Sequence, residues 1–279
     1  MLNMIKMDLY RMFHTKAVYV IWIVMAASIC FTTFLSKVDY QALMQDTNGV
    51  QENPSEEEAL NLGMQVTIPT EPGEKVTVYD QVYGNLQGKF VALFLLIYVV
   101  IFSAADLSSG YIKNIGGQVR KRHNLILSKA AVLFLFTALS LLLYVILQAV
   151  SQGLFFGYLE WGSLPALVKY MAVQLFLHYA LVLICMALSV ILKNNVISMT
   201  LSVCLSMNVM TILYSGADKI LQRMGIDDFH LIEHTVTGKI TLLPMYPGTR
   251  ELMYAFGTAT GFLVAAAVLT CLVFRRRDI

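Results

Sequence analysis

Charge is what this chain has least of: 14% of its 279 residues are Asp, Glu, Lys or Arg, against 57% hydrophobic, and the mean hydropathy is +0.66. That balance excludes an ordinary soluble domain and describes a chain that crosses a membrane several times. Cysteine is equally sparse. Cys30, Cys185, Cys204 and Cys271 all lie inside apolar stretches with no CxxC pair, which excludes a spaced disulfide framework and leaves them as small packing residues. A phosphate-cradling G-x-x-x-x-G-K-[ST] loop is missing, since GNLQGKF from Gly84 to Phe90 has the wrong spacing, so the chain carries no motor of its own. Charged residues deep within the apolar stretches are missing too, and with them the usual mark of ion-coupled transport.

What is present is six charge-free windows: Ala17 to Ser36, Phe90 to Ala105, Ala130 to Leu159, Tyr170 to Leu192, Asn194 to Ala217 and Leu252 to Phe274. About 20 such residues are needed to cross ~30 Å of hydrocarbon as a helix. Five windows qualify outright; the second, at sixteen residues, needs Lys89 to snorkel or the polar residues before it to complete the crossing. The expectation is an all-α polytopic protein with six transmembrane helices near 17–36, 86–105, 130–154, 170–192, 195–217 and 252–274. Placing both termini, the 106–129 loop and the Lys193 turn in the cytoplasm puts twelve bases inside and eight outside, as the positive-inside rule asks. The first apolar run exceeds a typical signal-peptide core and is expected to stay as a helix.

The flanking segments carry their own patterns. In residues 1–16, Leu2, Ile5, Leu9, Met12 and Phe13 form a stripe opposite Asn3, Asp8, Arg11 and His14, as in an elbow helix lying in the interface plane. The acidic outer segment 37–88 holds Gln65–Ile68 and Lys75–Val78 around Pro72-Gly73, a pattern open to a small β-hairpin or a solvated loop. The second outer segment, 218–251, contains HLIEH. His230 and His234 at i, i+4 would share a helix face and, with Glu233, are weak candidates for zinc; adventitious metal binding, pH sensitivity or an amphipathic surface helix are the other readings.

Polar residues inside the windows need partners or a water-lined cavity. Gln148 and Gln152, Gln174 and His178, and Ser198, Ser202 and Ser206 each repeat at four-residue spacing, with Asn208 nearby. The serines allow close helix approach, and the whole set is a candidate translocation path. Gly153/Gly157 and Gly257/Gly261 are GxxxG pairs, which specify no partner by themselves.

The segment from Asp106 to Lys129, DLSSGYIKNIGGQVRKRHNLILSK, is basic and glycine-broken between two apolar runs. Asp106, Gly110, Lys113, Asn114, Gly117, Arg120 or Arg122, Ser128 and Lys129 follow the order of acidic residue, Gly, Lys-Asn, Gly, Arg and Ser-Lys found between the second and third spans of ABC type-2 exporter permeases, which this chain resembles in that loop and in its layout. Tyr111 stands where many relatives carry Thr. The resemblance implies a single permease domain over residues 1–279, with a short coupling helix in the 106–129 loop whose basic end includes Lys121. It further implies a second permease copy or sibling and separate ATPase subunits. ATP and Mg would sit on the ATPase, with no cofactor and no catalytic residue on this chain. The substrate class implied is amphipathic or lipidic compounds, antimicrobial or toxin-like peptides first, moved across or out of a bacterial plasma membrane among lipids and with no role for nucleic acid; immunity permeases for bacitracin and lantibiotics have this size and layout. The contrasting classes are a membrane metalloprotease using HLIEH and a non-transporting sensor or immunity scaffold.

Overall fold

The computed structural model describes residues 2–46, 69–70, 73–108, 123–207, 209–225 and 229–275, with residues 43–46, 106–108, 123 and 275 described as backbone only. Among these residues every regular element is helical: α1 (Leu2–His14), α2 (Lys16–Asp46), α3 (Val78–Gln87), α4 (Phe90–Ser108), α5 (His123–Phe156), α6 (Leu164–Leu192), α7 (Asn195–Ser206), α8 (Val209–Arg223), a 3₁₀ turn (Leu231–His234), α9 (Val236–Leu242) and α10 (Thr249–Arg275). Four of them, α2, α5, α6 and α10, are long and apolar enough to cross a membrane, and two bent pairs, α3/α4 and α7/α8, reach that length together. The chain is a helical membrane protein.

Burial separates the helices into two sets. α4 is apolar all round, and Val91, Leu95, Leu96, Tyr98 and Val99 are all inaccessible, as expected for a helix enclosed by others. α2, α3, α5, α6 and α7 pack around it, while α10 lies along α6. The outer set keeps an apolar face with no protein on it: Ile23 on α2 is 68% exposed and Met253 on α10 71%, alongside Val20, Val264 and Val268. A continuous apolar surface of that extent is untenable in water and is what lipid tails cover.

Local signals fix the ends. Ser163 precedes α6, which carries a proline in its first turn, and α6 stops at Lys193 in the left-handed conformation (φ 55°). Asn194 at once caps α7, its side-chain oxygen accepting the N–H groups of Val196 (3.0 Å) and Ile197 (3.2 Å). The two-residue turn makes α6 and α7 neighbours.

The structure corrects several expectations. Of the suggested hairpin, Gln65–Ile68 lie outside the described residues, and Lys75–Val78 are not a strand: Thr77 is the N-cap of α3 and Val78 its first residue. The reason is a capping box, in which the Thr77 hydroxyl accepts the Asp80 N–H at 3.2 Å and the Asp80 carboxylate accepts the Thr77 N–H at 2.7 Å. Replacing Thr77 or Asp80 by Ala is expected to cost about 1 kcal/mol each in unfolding free energy, measured by chemical denaturation in micelles; an unchanged midpoint would show the box to be idle. The second window reaches crossing length through the polar residues before it: α3 and α4 pass as a pair with a 54° bend, and Lys89 at that junction is 4% exposed. α7 and α8 do not run straight through 195–217 either; they turn by 76°.

Candidate functional site

Two polar centres lie inside this apolar scaffold. The first surrounds α3, whose sequence VYDQVYGNLQ is too polar to face lipid, and whose Val78, Tyr79, Gln81, Val82, Gly84, Asn85 and Leu86 are all buried. Gln148 on α5 is its centre. Its amide nitrogen donates to the Gln81 carbonyl oxygen (2.6 Å) and to the Thr33 hydroxyl of α2 (3.0 Å), and its carbonyl oxygen accepts from the Asn85 amide (3.2 Å). Thr33 passes its own proton to the Ile29 carbonyl (2.8 Å), so its oxygen is free to accept. One turn further along α5, the Gln152 amide donates to the Val76 carbonyl just before α3 (2.5 Å). Asn85 also lies against the Tyr144 phenol.

The other flank of α3 is aromatic. Tyr79 meets Tyr170 of α6 edge-on at 5.9 Å and Tyr246 at 5.8 Å, Tyr83 meets Tyr170 at 5.6 Å, and the Tyr79 hydroxyl donates to the Met245 carbonyl. Gln174 donates to the Tyr170 oxygen (2.9 Å) and toward the Ile240 carbonyl of α9 (3.4 Å). His178 bonds the Gln174 carbonyl through Nδ1 at 2.8 Å; a carbonyl only accepts, so Nδ1 carries the proton and Nε2 is left as an acceptor. Gln81 Nε2, Asn85 Oδ1, Gln152 Oε1, Gln174 Oε1 and His178 Nε2 are buried without a protein partner. Such atoms at the depth of a bilayer call for ordered water or a polar ligand.

The second centre lies at the far end of α4 and the start of α5. The single Ser128 hydroxyl proton faces the Asp8 carboxylate of α1 at 2.6 Å, with the Leu125 carbonyl as a longer alternative acceptor at 3.1 Å. The Arg11 guanidinium and the Lys129 ammonium both sit against the Phe102 ring, at 5.0 and 5.1 Å from its centroid. Lys129 is 5% exposed, and Asp8 is the negative charge beside it. α1 is therefore a helix as expected, but Asp8 is on its packed face and Leu2 points outward. The wheel placed Asp8 outward because it weighed hydrophobicity alone; the Ser128 hydroxyl and the Lys129 ammonium on α5, with Arg11 one turn along α1, turn it in.

The chain's own candidates are thus divided. Gln148 and Gln152 join α3 from one side, Gln174 bonds Tyr170 on its aromatic flank while His178 bonds only the Gln174 carbonyl of its own helix, and Ser198, Ser202 and Ser206 are elsewhere: they are the buried residues of α7, the face that meets α4 and α6, with Ser202 against the Cys185 thiol. Asn208 lies outside the described residues, as do Gly110, Lys113, Asn114, Gly117, Arg120, Lys121 and Arg122. Asp106 is described only as helical backbone at the end of α4, and Ser128 and Lys129 belong to the second centre. His230 and His234 do not share a helix face. Leu231–His234 is a single 3₁₀ turn, in which i and i+4 point about 120° apart. His230 pairs with Asp218 (3.7 Å), His234 stacks on Phe229 (4.7 Å), and among the described residues no three metal-ligating side chains converge.

The profile of a family described as protein of unknown function, DUF2705, matches residues 42–279. The chain belongs to DUF2705. No curated protein matches it. The DUF2705 match begins within α2, so it takes in the whole centre around α3 except Thr33, and the Ser128–Lys129 half of the second centre, but not Asp8 or Arg11.

Proposed function

We propose that this DUF2705 chain is the permease subunit of an ATP-driven exporter, moving amphipathic or lipidic compounds, antimicrobial or toxin-like peptides first, across or out of a bacterial plasma membrane. In this reading each bent pair is one span, giving six, with both termini and the loop between α4 and α5 in the cytoplasm, and α1 is the interfacial elbow. The carrying observation is the bond from Ser128 to Asp8 with Arg11 and Lys129 against Phe102: it ties α1 to the end of the 106–129 coupling segment. A force applied to that loop would reach α1, α4 and α5 together. The loop would dock on a separate ATPase that binds ATP and Mg, in an assembly with a second permease copy or sibling. Closure of the ATPases would shift the spans between inward-open and outward-open states through the difference in nucleotide affinity between them. The orphaned polar atoms around α3 support a polar lining on the substrate's route.

The test is whether an ATPase encoded next to this chain co-purifies with it and shows substrate-stimulated hydrolysis in liposomes. Reversing Arg120, Lys121 and Arg122 to Glu is expected to reduce stimulated hydrolysis at least about tenfold by weakening the charged contact. A wild-type complex that retains no ATPase, together with a reversal that changes nothing, would sink the proposal; retained ATPase without substrate stimulation would favour a sensor or scaffold.

A further inference from the structure

The segment that holds HLIEH lies between two apolar windows, so chain order alone leaves it outside the membrane. Its contacts put it at mid-depth. The Met245 carbonyl accepts the Tyr79 hydroxyl beside Tyr170, about 9 Å along α6, and the Ile240 carbonyl accepts from Gln174, about 15 Å along. His234 shares an open cavity of about 270 Å³ with Thr258, Gly261, Phe262 and Ala265, and Gly261 is about 18 Å into α10, a helix about 40 Å long. α6 and α10 start at the same end, since Tyr246, just before α10, meets Tyr79, and Phe176 meets Phe256 at 4.4 Å. From Met245 back to His234 the chain therefore descends to the middle of both helices.

The approach from the other end reaches the same level. α7 runs back beside α6, with Ser202 against Cys185, and stops at Ser206 after about 18 Å, short of a full crossing. Beyond the 76° bend, α8 climbs only about 5 Å more over its whole length. The Asp218 carboxylate of α8 accepts the Leu231 N–H at 2.9 Å and pairs with His230, and the Tyr214 and Thr237 hydroxyls bond at 2.6 Å. These bonds hold α8 against the 3₁₀ turn. Gly238 lets the turn fold onto α9, because a Cβ there would overlap the Ile232 carbonyl. The crossing begun by α7 and α8 is completed by α9 and the link to α10.

No apolar window holds a charge, yet this segment carries Lys219, Arg223, Glu233 and His234 to mid-depth, all of them exposed. Hydrocarbon does not solvate such groups; at that depth they face protein or water. The face of α10 that suits lipid is a different one: Val264, level with the cavity and 58% exposed, is about 110° around the helix from the cavity's lining. Toward the far end of α10 the exposed Val268, Leu269 and Leu272 are apolar, so a polar route to the turn comes from the end where α6 and α10 begin.

We propose that α8, the 3₁₀ turn and the cavity side of α10 line a water-filled vestibule that reaches the middle of the membrane from that end. Its floor is charged and its α10 wall, with Gly261, Phe262 and Ala265, is apolar, which fits an amphipathic molecule whose polar part meets Glu233 and His234. This deepens the transport reading by giving the substrate's route a location, and rests on that reading only for calling the occupant a substrate.

The experiment uses the full chain in liposomes, spin-labelled through Glu233→Cys, His234→Cys or Val264→Cys in a variant with Cys30, Cys185, Cys204 and Cys271 replaced by Ala. Relaxation by a water-soluble nickel chelate, present on both sides, is compared with relaxation by oxygen, which concentrates in hydrocarbon. The nickel effect at Glu233→Cys and His234→Cys is expected to exceed that at Val264→Cys at least about tenfold, as exclusion of a polar complex from hydrocarbon implies, with oxygen dominant at Val264→Cys. Equal nickel access at Val264→Cys puts that level outside the membrane and overturns the vestibule. A turn label reached by oxygen alone faces lipid, one reached by neither reagent is sealed by protein, and each outcome overturns it as well. Should the cysteine-free variant fail to fold, the same substitutions are labelled in the chain with its own cysteines, the unsubstituted chain giving the blank. No ATPase or substrate is needed, so a missing vestibule with intact stimulated hydrolysis sinks this inference alone, and lost coupling with nickel access intact sinks the transport reading alone.

Discussion

Replacing Gln148 by Leu is expected to be the most destabilising single substitution in the centre around α3, by about 2–5 kcal/mol. The side chain holds three hydrogen bonds that tie α5 to α2 and to two successive turns of α3. Average side-chain bonds within membranes are worth well under 1 kcal/mol, because the unfolded chain in lipid also finds partners. That average does not govern here. Leu at 148 leaves the Asn85 amide, the Gln81 carbonyl and the Thr33 oxygen unpaired together, in residues that are all buried, and Gln81 and Asn85 each already carry one unpartnered atom. A half-satisfied polar network costs more than an apolar one, so the pair Gln148→Leu with Asn85→Leu should recover part of the loss. Unfolding in micelles, followed through Trp22 and Trp161, measures both. A single-variant effect under about 0.5 kcal/mol with no coupling to Asn85 would show that α3 is held by its aromatic flank instead.

The same residues show where sequence reading succeeds and where it stops. α2, α5, α6 and α10 were legible because each is an unbroken apolar run, and lipid imposes a minimum length that few other structures meet. The ends were less so: α2 runs to Asp46 and α5 starts at His123, because polar residues continue a helix without needing an apolar face. The serines at four-residue spacing correctly marked the packed face of α7. α3 was missed. Its hydropathy is that of a loop, and Pro72-Gly73 suggested a turn, yet Thr77-x-x-Asp80 was a legible helix start and Gln81 and Asn85 repeat the four-residue spacing of Gln148 and Gln152. Two polar pairs of equal spacing on separate segments are a signal that they meet, and neither pair is interpretable alone. For the second window two readings stood, Lys89 reaching the surface or the polar residues before it completing the crossing, and it is those residues, as α3, that bring the bent pair to crossing length.

Asp8→Ala is the second large effect, and its size depends on what α1 can lose. Removing one partner from a buried charge cluster costs about 3–5 kcal/mol when the rest must stay in place. Here the rest need not. α1 is a peripheral helix of 13 residues, and its departure would release Arg11 to water while leaving Lys129 buried on α5. The loss is capped at the free energy with which α1 docks, so the global unfolding midpoint should move little while local protection collapses. Amide hydrogen exchange is expected to accelerate at least about tenfold across Leu2–His14 and in the first turns of α5 around Leu125 to Lys129. Asp8→Asn separates the two contributions: it can still accept the Ser128 proton but leaves Arg11 and Lys129 as like charges against one ring, so its effect should fall between wild type and Ala. Adding Lys129→Met to Asp8→Ala removes the buried cation and should restore much of the protection in α5 but not in α1. Exchange that is unchanged in Asp8→Ala would mean that Met12, inaccessible on the same face, holds α1 without the charge cluster, and the proposed path from the 106–129 coupling segment to α1 would lose its physical link.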